Sequence, residues 1–206
     1  MSTKLQAYKN DPKLKEALIA PLQAHYDADE IIKGVYWENG KGCAVGCTVY
    51  SDDHSLFLDL YDIPLKLAYL DDRILEGLPN KLSKKWPLQF AKAISVGKDL
   101  SQIWPRFAIW LLTDPEFGVL QYVDEKRKLI GQEVADTYKK SLTEGVSEEV
   151  WRALRIKARA FAVDAAAVAA AVAAAPDVAY VGAAYAFAKA KNFIAQSKKL
   201  LELLSN

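Results

Sequence analysis

The chain has two histidines and two cysteines, and they fall in one short window: His25, Cys43, Cys47 and His54, spaced H-x17-C-x3-C-x6-H. Thiolate and imidazole are the usual zinc ligands, and a cysteine pair two to four residues apart is a common half-site. These four residues are therefore the candidate metal set, and zinc is the one cofactor they would suit. The rest of the spacing matches no standard zinc finger. The plainer reading, and the favoured one, is a small buried cysteine pair, a core histidine at 25 and a capping histidine at 54, with no cofactor.

The same residues allow thiol chemistry. A cysteine near a helix N-terminus ionises more readily, and a neighbouring histidine activates it further. On that reading Cys43, Cys47 and His54 are the catalytic candidates of a thiol-dependent hydrolase. The run from Asn39 to Cys47 is similar to the glycine–cysteine loop of papain-like proteases. No histidine follows His54, so the downstream base of that family is missing. Carboxylates add an oxygen-rich alternative. His25 with Asp29, and Asp72 with Glu76, are four apart on helical patterns, and Asp53 adjoins His54. The set lacks the paired Glu-x-x-His units of di-iron bundles, and solvated helix faces explain the charges more cheaply. Gly40-Lys41-Gly42 belongs to neither a P-loop nor a dinucleotide fingerprint, so nucleotide binding of those kinds is discarded. Tyr36, Trp37, Trp86, Trp104 and Trp110 read as core and lid packing.

The elements that must position these residues are helical almost throughout. Asp11-Pro12 starts a helix carrying Leu14, Leu18 and Leu22, with a kink or break expected at Pro21 and an end at Gly34. Between Val35 and Val49, Asn39-Gly40 is a turn signal, and a hairpin and a loop entering a short helix fit equally. Further helices are expected from Ser51 to Tyr61 and from Pro64 to about Gly77, the latter carrying Leu67, Leu70, Ile74 and Leu78. Others run from Asn80 to Ile94, from Asp99 or Ser101 to Leu112, from about Asp124 to Leu142, and onward from Ser147. More than half of residues 158–190 are alanine. Residues from Trp151 to Val172 and from Tyr180 to Leu204 step by three and four, and Pro176-Asp177 separates the two runs. This predicts an antiparallel alanine-rich helical hairpin. Its outer faces carry few charges, which fits cover by the N-terminal helices or by a second copy of the chain, and equally fits exposed alanine that needs no cover.

The fold class is therefore all-α: a multi-helix N-terminal bundle with a short Gly/Cys turn over residues 1–118, then a long helix and the hairpin over 119–206. Net charge is +1 from 27 basic and 26 acidic residues, which disfavours a nucleic-acid partner. Hydrophobic residues make up 51%, which excludes whole-chain disorder. No signal sequence or membrane span is visible, and the expected location is the cytoplasm.

Tyr36 to Thr48, Leu70 to Leu78 and the two Trp-Pro segments resemble an uncharacterised family of bacterial and bacteriophage proteins. That family has a G-K-G-C-A-V-G-C-T core and an alanine-rich tail ending K-L-L-E-L-L. The resemblance covers most of the chain and transfers no catalytic role. It implies a prokaryotic or phage setting. The favoured function is a non-catalytic interaction or regulatory protein that binds a protein partner, or a second copy of itself through the hairpin. The alternative is a thiol hydrolase or zinc protein using His25, Cys43, Cys47 and His54.

Overall fold

The computed structural model describes residues 5–162 and 182–206. These are mostly helical, with one two-stranded ribbon. The chain forms two compact units, Met1–Trp104 with Phe193–Asn206, and Pro105–Asn192. This differs from the expected division after residue 118. The physical reason is the end of the last helix, α10 (Gly182–Ser205), which belongs to the first unit. There Gly77 leaves room for the Phe193 ring, which a Cβ would meet at 2.2 Å. Lys98 Nζ donates to the carbonyls of Leu203 at 3.1 Å and Leu204 at 2.7 Å, satisfying acceptors that a helix C-terminus leaves open.

In the first unit a 3-10 turn (Ala7–Asn10) leads into α1 (Pro12–Asp27), capped by the Asp11 carboxylate on the Lys13 N–H. No break occurs at Pro21. Leu18 and Leu22 flank it on the buried face, and burying side chains of that size stabilises by roughly 1.5–3 kcal/mol each, enough to offset a proline's cost of about 3. The helix stops at Asp27, earlier than expected.

Both alternatives for residues 35–49 occur in series. Strands β1 (Trp37–Glu38) and β2 (Lys41–Gly42) pair antiparallel around Asn39-Gly40, both at positive φ, the geometry of a tight hairpin turn. Helix α2 (Ala44–Val49) follows directly. Next come α3 (Leu56–Tyr61) and α4 (Leu65–Gly77). The expected Asn80–Ile94 helix is two pieces, α5 (Asn80–Ser83) and α6 (Trp86–Ala93), with Pro87 in the first turn of α6. Helix α2 packs on α1 and α4, and α6 on α1. Leu18, Leu22, Phe57, Leu67, Ile74, Trp86 and Phe90 make the core between them.

Helix α7 (Ile103–Thr113) runs into the second unit, where α8 (Glu125–Ser141) matches the expected long helix. Asp124 caps it on the Arg127 N–H. Helix α8 packs on α9 (Glu148–Ala162) and on a 3-10 turn at Val119–Tyr122. Tyr138 meets Trp151 at 4.8 Å. The remainder of the expected hairpin, including its turn at Pro176-Asp177, and the self-association proposed through it lie outside the described residues. Among the described residues no helix is long and apolar enough to cross a membrane.

Candidate binding cleft

The glycines of the Gly-Cys turn explain its geometry. A Cβ on Gly42 would lie 2.1 Å from the Tyr36 carbonyl oxygen, and one on Gly46 only 1.5 Å from it. Both positions must therefore be bare for the backbone of Tyr36 to cross the start of α2. That carbonyl, with the Val35 carbonyl, accepts the Cys43 N–H, at 3.2 and 2.8 Å. Gly42 is pinned from the other side, bonded to the Glu30 carbonyl and the Ile32 N–H.

The two cysteines, four residues apart, take different neighbours. Cys47 lies within α2, and its thiol donates to the Gly42 carbonyl at 3.3 Å. Cys43 is the N-cap residue with extended backbone, so it leaves the helical face, and its thiol is turned to the Asp72 carboxyl. Each cysteine is 2% exposed or less. Burial, then Asp72, pushes the Cys43 thiol well above its usual range, against the opposing N–H groups of Gly46 and Val45. Burial chiefly holds Cys47 up at about 12. The expected activation by a helix N-terminus is thus reversed: desolvation outweighs a helix of six residues. Both shifts favour the thiol over the thiolate, which is the form that attacks as a nucleophile.

The histidines also part. His25 Nδ1 donates to Glu30 Oε2 at 2.7 Å, and its ring meets Trp37 and Tyr50 edge-on. Asp29, expected beside it, sits outside α1 at positive φ and pairs with Lys84. His54 is buried elsewhere. Its Nδ1 donates to the Asp52 carbonyl at 3.0 Å, which leaves Nε2 facing Asp72 Oδ2 at 3.7 Å. The set His25, Cys43, Cys47 and His54 therefore does not converge. Among the described residues no group of three or more histidine, cysteine, aspartate or glutamate side chains could hold a metal ion. Neither the zinc set nor the oxygen-rich set is brought together by that geometry. What does assemble is Cys43 and His54 on either side of Asp72.

Asp72 lines a cleft of about 200 Å³, with Gly34, Val35, Tyr36, Cys43 and Glu76. The Glu76 carboxylate accepts the Gly34 N–H at 2.9 Å, tying one wall to α4. Two tyrosines stand beside it. Tyr69 stacks on the His54 ring at 4.2 Å, and Tyr36 meets that ring edge-on at 5.8 Å. Tyr36 is 48% exposed and Tyr69 55%, so Tyr36 is not core as expected. Its phenol is pushed above its usual range, first by the charge of Asp72, then by burial, Cys43, Asp52 and Tyr69. Tyr69, which sequence reasoning passed over, had a legible signal. Tyr69, Asp72 and Glu76 step by three and four along α4, off the Leu67, Leu70 and Ile74 seam.

No family model, curated protein or solved structure matches this chain.

Proposed function

We propose that this is a non-catalytic protein that binds a protein partner through the cleft beside Asp72. The observation that carries the reading is the pair of exposed tyrosines, Tyr36 and Tyr69, held by one buried histidine. An exposed aromatic ring already fixed by a neighbour loses little freedom on binding. Tyrosine is accordingly enriched among the residues that dominate interface energy. The cleft is also smaller than pockets for drug-sized ligands, which run to about 300–1,000 Å³, so it suits one side chain of a larger partner. A regulatory role in a bacterial or phage setting is consistent with such a surface.

The thiol-hydrolase alternative is the weaker one. Cys43 reaches the same cleft, but burial and Asp72 push its thiol pKa up, and it is turned to a carboxyl rather than to a histidine. Catalysis of that kind needs a thiol and a base within hydrogen-bond reach.

The test is site-specific photocrosslinking. A benzoylphenylalanine probe replaces Tyr69, and the full chain is exposed to extract of the organism that encodes it. The expected result is one discrete crosslinked protein that unlabelled wild type competes away and the Tyr36→Ser/Tyr69→Ser double variant does not. Equal competition by the double variant would contradict the reading.

A further inference from the structure

We propose that the cleft receives the guanidinium of a single arginine from the partner, an inference that rests on the partner-binding reading above. The floor of the cleft is the ground for it. The Asp72 side chain is only 15% exposed, and its Oδ1 is buried with no hydrogen-bond partner. Its Oδ2 has His54 Nε2 at 3.7 Å, too long for a hydrogen bond. Its other neighbour is the Cys43 thiol, a weak donor. A carboxyl this short of donors is costly to bury, and a cation that enters the cleft beside it offsets part of that cost through its charge. The adjoining groups extend the same polarity. Glu76 lines the cleft, and Asp52 acts on the Tyr36 phenol together with Asp72.

The rim selects among cations. A hydrated metal ion gains little from phenol rings, and no metal-holding group is present among the described residues. A guanidinium is planar, weakly hydrated and carries five N–H donors, so it can lie against a tyrosine face while its charge meets the carboxylate. Lysine brings a compact and strongly hydrated charge that matches this floor less well. The cleft volume is on the scale of one long side chain.

The experiment titrates the 15N-labelled full chain with Nα-acetyl-arginine methylamide and, separately, with the citrulline analogue, which keeps the shape and loses the charge. The expected result is a saturable shift of the Gly34, Tyr36, Cys43 and Asp72 amides by the arginine compound, at least tenfold stronger than by citrulline. Asp72→Asn should reduce the arginine response to the citrulline level, with the remaining amides unmoved as evidence of an intact fold. The comparison in wild type stands alone should that variant not fold. Equal response to both compounds, or no saturable response to either, would overturn the arginine assignment. That result leaves the partner-binding reading standing if Tyr36→Ser/Tyr69→Ser still fails to compete in the crosslinking experiment. If the double variant competes as well as wild type, both fall.

Discussion

Asp71 and Asp72 are consecutive residues of α4, and they inhabit different chemistry. A helix turns about 100° per residue, which is enough to send one inward and one into the cleft. Asp71 is 1% exposed, against Leu18, Leu22, Phe57, Phe90 and Ala91, in a space with no room for water. Burial first, and the charge of Asp72 second, push its carboxyl well above the usual carboxylate range. Asp72 lines water-accessible space with His54 and Tyr36 beside it. Each leaves one oxygen without a donor. In the core nothing can reach that carboxyl, and burial favours its protonated form. In the cleft a ligand can approach the Asp72 carboxyl. The difference teaches that the same acid is a structural cost on one face of a helix and a recognition element on the next.

Several substitutions and labels break or sharpen this contrast. The largest effect concerns the two thiols, Cys43 lining the cleft and Cys47 within α2. Labelling of Cys43 and Cys47 by a thiol reagent in the native state is expected to run about 10³-fold slower than in urea, since it must wait for local opening. Fast labelling of Cys43 in the folded protein would revive thiol chemistry. Next is Gly46→Ala, which forces a methyl into the Tyr36 backbone and should cost about 3 kcal/mol in urea unfolding, with loss of the Tyr36 rim. A near-neutral result would mean that the turn is not held by that close approach.

Asp71→Asn sharpens the core side. The folded pKa of Asp71 lies above its unfolded value of about 3.9, so the native state holds the proton more tightly. The stability this group lends is full below that value and is lost as pH rises through the folded pKa. Removing the titration should therefore stabilise by about 2 kcal/mol at pH 8 and by nothing at pH 4, read from urea midpoints. A gain equal at both pH values would show that ionisation is not the cause. The smallest effect on stability belongs to Asp72→Asn, which removes a donor-poor charge and is expected to stabilise by about 1 kcal/mol despite its loss of the arginine response.

Much of the helical plan was legible because local signals and packing agree. Asp124 caps α8, and Leu67, Leu70 and Ile74 face the core at the spacing their periodicity implies. The break expected at Pro21 does not occur, because burial of Leu18 and Leu22 outweighs the local rule. The site was legible in residue type and not in arrangement. Spacing read Cys43 and Cys47 as a pair, but an N-cap backbone turns Cys43 toward Asp72. His25 and His54 are 29 positions apart, and no local signal says that each would take its own aromatic and acidic neighbours. The role of Gly42 and Gly46 was equally hidden, because the Tyr36 carbonyl they admit is a tertiary contact.

The most direct test of the central claim is a random-peptide display selection on the full chain, followed by calorimetric titration of the enriched peptide into three proteins. Binding through the cleft predicts that wild type and Asp71→Asn bind the peptide equally, while Tyr36→Ser/Tyr69→Ser loses at least tenfold in affinity. Enrichment of peptides whose affinity is untouched by the two tyrosines would contradict it.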